Sequence, residues 1–109
     1  MTFKPVILRA QAQRDIESAI TYYAVEADAD VALHFVDNLA QAYRAISSRP
    51  ATGSPRYAQE LDLPGLRSRN VKRFPYTIFY IERVDHIDLW RVLHSQRDIP
   101  AWFGEVHQA

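Results

Sequence analysis

The sequence predicts an α+β fold: a two-layer sandwich in which an antiparallel helical hairpin covers one face of a small, mainly antiparallel sheet, in the order β-α-α-β-β-β. Three observations predict it. A short branched apolar run opens the chain, apolar residues recur at helical spacing through residues 11–48, and three strand-like segments fill the second half. Two helices with one apolar stripe each must bury those stripes, and a sheet is the partner that the second half supplies.

The elements follow in order. "PVILR" (5–9) reads as a strand, its proline tolerated at a strand start. Ala12, Ile16, Ala19, Ile20, Tyr23 and Ala27 then set a helical period over 11–28. "EADAD" (26–30) interrupts it, with Asp28 or Asp30 as the cap of the next helix. Val31, Phe35, Leu39, Ala42, Tyr43 and Ile46 carry that helix over 30–48, and so short a link makes the pair antiparallel. "SRPATGSPRY" (48–57), with its prolines and glycine, reads as a loop. Strands follow at about 66–73, 76–83 and 86–94, the last two joined through "RVDH".

In "YTIFYIER", Tyr76, Ile78 and Tyr80 alternate with Thr77, Phe79 and Ile81. Both sets are largely apolar, so this strand is central and the sheet face away from the helices is apolar too. Such a face is either a partner surface or covered by the chain's own loops and tail, and both readings stay open.

Length and composition narrow the function. With 109 residues, 48% hydrophobic and 24% charged, the chain is expected to form one domain, 1–109, with its own core. The absence of cysteine excludes disulfides and thiolate metal sites. The apolar run at the start is too short for a signal peptide, and no stretch of about 18 apolar residues could span a bilayer, so a cytoplasmic protein is expected. The net charge is zero but uneven. Residues 1–62 carry six Lys/Arg against eight Asp/Glu, and residues 63–109 carry seven against five. Eleven of the thirteen cations are arginine, which suits forked contacts to carboxylate or phosphate, though genomic composition would give the same bias.

Conventional catalytic signatures are missing. His34, His86, His94 and His107 form no ligand-like pair, so no metal and no cofactor are expected. With three glycines there is no phosphate-cradling loop, and no nucleophile elbow appears. What remains is "RSRNVKRFPYTIFY" (67–80). Arg67, Arg69 and Arg73 share a parity and would project from one strand face, with Lys72 opposite. On the last strand Ile87, Leu89 and Leu93 share a face with Arg91, and Asp88, Trp90, Val92 and His94 share the other, with Arg97 just beyond. Three readings fit these cations: ordinary ion pairs with residues such as Asp88 and Asp98, a protein-binding edge, or a metal-free ribonuclease site with His94 moving a proton.

The element order, the stretch "AQRDIESAITYYAVEADADVALHFVDNLAQAYRAISSRPATG" and the pairing of "VKRFPYTIFY" with "DLWRVLHSQRD" resemble the ParE toxins of the RelE/ParE superfamily, over about residues 5–103. The resemblance implies the toxin of a type II toxin–antitoxin pair. Such a toxin is neutralised by a ParD-like antitoxin, stabilises DNA gyrase in its cleaved-DNA state without catalysis of its own, and meets DNA only through the antitoxin. Members of the RelE branch instead cut messenger RNA on the ribosome with basic residues and a proton-moving Tyr or His near the C-terminus. Here no tyrosine follows Tyr80, and the lysine-rich core of that branch is thinned to Lys72. An inactive, purely binding relative is a third alternative. On this resemblance Arg67, Arg69 and Arg73 would meet antitoxin carboxylates, and Tyr76, Ile78 and Tyr80 would supply apolar contacts on the outer sheet face. Arg91, His94, Arg97 and Trp102 would face the target.

Overall fold

The computed structural model describes residues 3–96. Strand β1 (Val6–Leu8) leads into helix α1 (Ala10–Glu26) and helix α2 (Ala29–Ser48). A single 3-10 turn (Pro50–Thr52) and the short helix α3 (Arg56–Glu60) precede strands β2 (Leu66–Asn70), β3 (Tyr76–Glu82) and β4 (Ile87–His94). The sheet order is β1-β4-β3-β2, with β1 parallel to β4 and the other pairs antiparallel. The α+β architecture is the one the periodicities predict. The sequence leaves open where β1 inserts; it lies beside β4, and the helical hairpin is part of the long connection that a parallel pair requires.

Of the two candidate caps, Asp28 begins α2: its carboxylate accepts from the Val31 amide at 2.9 Å. The α2 stripe of Phe35, Leu39, Ala42 and Ile46 then packs on Ile78, Tyr80, Ile87, Leu89 and Val92. Phe35 is wholly buried, a burial that stabilises by about 1.5–3 kcal/mol. Its ring and those of Tyr23, Phe74 and Tyr76 meet at centroid distances of 5.1–6.2 Å, mostly edge to face, the geometry that the ring quadrupoles favour.

Three expectations are corrected. First, Tyr76, Ile78 and Tyr80 face the helices, not the outer side; Ile78 and Tyr80 are fully buried there and are not available as surface contacts. Second, the opposite face is not open. Residues 48–57 were expected to be loop only, but α3 and the turn after it lay Tyr57, Ala58, Leu61 and Leu63 over Leu66, Phe79, Ile81, Trp90 and Leu93. Third, strict alternation fails in β4. A bulge sets Phe79 opposite Arg91 but Tyr80 opposite Leu89, leaving Trp90 as the extra residue. Val92 therefore joins Ile87 and Leu89 under the helices, while Leu93 joins Trp90 on the far side.

One core group is under-satisfied. Among the described residues the Tyr43 hydroxyl is buried without a hydrogen-bond partner, and burial pushes its pKa up to about 12. Tyr43→Phe removes the unmet group and is expected to stabilise the protein by about 1 kcal/mol in denaturant unfolding. The raised pKa also fixes a sign. The contribution is fully present below pH 10, the ordinary tyrosine value, and is lost as pH rises through 12. The variant should therefore lose less stability than the parent over that window. A destabilised Tyr43→Phe would show that the hydroxyl has a partner.

Candidate partner-binding surfaces

Two surfaces gather the residues that the sequence singles out. The first is the β2 edge. Arg67 and Arg69 alternate along β2 opposite Tyr80 and Ile78, and so stand on the helix side of the sheet. The Arg67 Nη1 donates to the Gly53 carbonyl at 2.8 Å, and the Arg69 Nη1 reaches the Thr52 hydroxyl at 3.5 Å. Both are half-buried. Arg73 does not share their strand: β2 ends at Asn70, and Arg73 sits in the following turn at φ 71, a left-handed conformation uncommon for a side chain of that size. Lys72 and Arg73 are exposed. Among the described residues no carboxylate pairs with Arg67, Arg69, Lys72 or Arg73.

Tyr80 anchors this edge from beneath, donating to the Pro50 carbonyl at 2.6 Å. Burial raises its pKa, against the opposing pull of the Arg67 and Arg69 charges. Gly53 has to be glycine for want of room: a Cβ there would overlap the Tyr80 hydroxyl and lie 2.9 Å from its Cζ.

The second surface is an open cleft of about 790 Å³ between α1 and the end of β4, lined by Asp15, Ser18, Tyr22, Tyr76, Val92, Leu93, His94 and Gln96. The His94 ring stacks edge-on against Tyr76 at 5.3 Å, and its Nδ1 accepts from the Gln96 amide at 3.2 Å. The neutral ring then carries its proton on Nε2. Arg91 is not part of this surface. It is 3% exposed, and its Nε and Nη2 bind Asp15 of α1 at 2.7 and 2.8 Å. Its expected target-facing role is corrected to a clamp between helix and sheet. Asp15 completes the clamp by accepting from the Val92 amide at 3.0 Å. Arg97 and Trp102 lie outside the described residues.

The contribution of α1 to the cleft escapes sequence reasoning. Ser18 and Tyr22 sit one helical turn apart, off the apolar stripe; Tyr22 is 57% exposed, and that large ring on a polar helix face is the one signal of it.

A helical hairpin on a mixed four-stranded sheet, with a basic edge at β2 and an aromatic cleft between α1 and the end of β4, defines a small α+β protein. The family of the ParE toxin of type II toxin–antitoxin systems, parDE, matches residues 6–99, and the chain belongs to that family. Among solved structures, a chain described as the chromosomal ParDE TA system from P. aeruginosa is similar, with a TM-score of 0.71 and 17% identity over 86% of this chain and 98% of that one. At that identity the likeness carries the fold alone. Comparison with curated proteins gives no match. Among the described residues no helix is long and apolar enough to cross a membrane.

Proposed function

We propose that this chain is a cytoplasmic toxin that inhibits DNA gyrase by binding, and that a ParD-like antitoxin neutralises it through the basic β2 edge. One observation carries the reading: in a protein of zero net charge, four neighbouring cations lack carboxylate partners among the described residues. An acidic partner segment would complete them with charge-assisted hydrogen bonds, each stronger than a neutral one. Arg67 and Arg69 are already oriented by the 3-10 turn, so less side-chain freedom is lost on binding. His94 and the neighbouring rings of the cleft would meet the target.

Purified protein is expected to inhibit gyrase supercoiling, and His94→Ala to weaken this at least about tenfold while leaving the fold intact, since the ring is only half-buried. Replacing Arg67, Arg69 and Arg73 by Gln should instead spare inhibition and weaken antitoxin binding, with a shallower salt dependence. A second reading draws on the same cleft: an imidazole whose Nδ1 accepts from Gln96, in a cleft lined also by Tyr22 and Tyr76, would suit ribosome-dependent messenger cleavage. Mapping RNA 5′ ends after induction separates the two. Messages cut at codon positions, with gyrase unaffected, would overturn the gyrase reading.

A further inference from the structure

Helix α2 carries a second apolar stripe that the core does not use. Phe35, Leu39, Ala42 and Ile46 are buried toward the sheet. Ala29, Leu33, Val36 and Ala40 recur along another face at steps of four, three and four residues, the spacing by which two helices seam together. Leu33 is 61% exposed and Val36 is 39% exposed. The alanines at either end of this stretch are small enough for a second backbone to come close. On α1, across the turn between the helices, Tyr22 and Val25 are exposed as well. Four of the seven large apolar side chains exposed among the described residues thus flank a single turn, where scattered surface residues would not gather.

The charges along the hairpin select what could cover this face. Residues 26–37 carry Glu26, Asp28, Asp30 and Asp37 and no Lys or Arg, while residues 38–49 carry Arg44 and Arg49 and no acid. All six are exposed, and among the described residues none is in an ion pair. Phe74, whose ring meets those of Tyr23 and Phe35, brings Lys72 and Arg73 to the sheet side of the hairpin, where they pair with none of these acids. Helix α2 is therefore acidic toward its start and basic toward its end. An acidic or a basic segment of another protein would suit one end and be repelled by the other. A second α2 laid antiparallel suits both, because a two-fold contact presents the same order reversed. With the axis beside residues 37 and 38, Asp30 of each copy faces Arg44 of the other, and Glu26 and Asp28 lie toward Arg49. The same register sets Leu33 against Tyr43 and Val36 against Ala40. Asp37 alone meets its own copy, and as an exposed group it keeps its hydration there.

We propose that α2 is a self-association surface: two copies of this chain pair antiparallel through Ala29, Leu33, Val36 and Ala40, with an Asp30–Arg44 ion pair at each end. No residue of α2 lines the cleft and none belongs to the β2 edge, so the pairing stands or falls independently of the gyrase reading.

The test is sedimentation velocity of the full chain over a concentration series. Reversible dimers are expected, with a dissociation constant on the order of 100 µM or tighter. Leu33→Glu, at an exposed position outside any ion pair, should weaken them at least about tenfold. Asp30→Arg and Arg44→Glu each set like charges at both ends and should each weaken association when alone. Mixed in equal amounts, these two variants should associate again, since each end of the mixed pair then joins a cation to a carboxylate. Both positions are exposed, so the mixing experiment decides the matter even if Leu33→Glu unfolds. Asp37→Asn should tighten the parent dimer by removing its like-charge contact. A chain that stays monomeric to about 1 mM would leave the stripe to a different protein and overturn the proposal. Dimers indifferent to Leu33→Glu, which would place the contact on another face, overturn it too. So does a mixture of the two charge variants that remains as monomeric as its parts.

Discussion

Asp15→Ala is expected to destabilise the protein by about 3–5 kcal/mol, because it strands a buried guanidinium. In the folded chain the Arg91 and Asp15 side chains are 4% and 11% exposed, and the pair joins residues 76 positions apart. Among the described residues the Nη1 of Arg91 is already buried without a partner, so loss of Asp15 would leave its Nε and Nη2 donors unpaired too. The Val92 amide would lose its acceptor as well. A loss of that size should lower the melting midpoint by roughly 12 °C or more in a domain of this length. The double variant Asp15→Ala with Arg91→Met should recover most of the stability, since removing both charges costs far less than orphaning one. Denaturant unfolding of the four proteins decides it. If Asp15→Ala lies within about 1 kcal/mol of the parent, the clamp is not what holds α1 to β4.

Gly53→Ala is the second large effect, expected to cost about 1–3 kcal/mol or more through overpacking. Its backbone φ of −66° suits any residue; the constraint is space. The added methyl would overlap the Tyr80 hydroxyl and approach the Arg67 Cβ at 3.0 Å. Tyr80 has nowhere to retreat: it is wholly buried in β3, and its hydroxyl is held by the Pro50 carbonyl. Removing that hydroxyl with Tyr80→Phe should make Gly53→Ala less costly, so the two changes should be non-additive. Strict additivity, or a neutral Gly53→Ala, would refute the close packing described for this turn. The Gly53 carbonyl also orients Arg67, so if the proposed antitoxin contact at the β2 edge holds, antitoxin affinity should fall along with stability.

Much of this fold is legible in residue order because its helices and β3 obey simple periods. The stripe from Phe35 to Ile46 could face only a core, and the cap of α2 was narrowed to Asp28 or Asp30 before the structure chose Asp28. The basic edge is legible too, since cations crowd into residues 67–73 whatever the fold. The cover on the far face was not. Tyr57, Leu61 and Leu63 lie among prolines, a glycine and polar residues with no sustained period, and a helix of five residues leaves little pattern to find. The bulge at Trp90 was equally invisible, because alternation carries no mark of an inserted residue. Arg91 shows the consequence. Parity put it on a face with Ile87, Leu89 and Leu93, the resemblance gave it to the target, and only the clamp to a carboxylate 76 residues away shows what it binds.

Local order along the chain thus determined which segments are helix and strand, where the positive charge collects, and the resemblance to the family that the chain proves to belong to. Tertiary structure alone decided which face of β3 lies under the helices and which arginines are consumed in ion pairs. Those outcomes depend on contacts between residues far apart in sequence, and such contacts leave no periodic trace in the sequence itself.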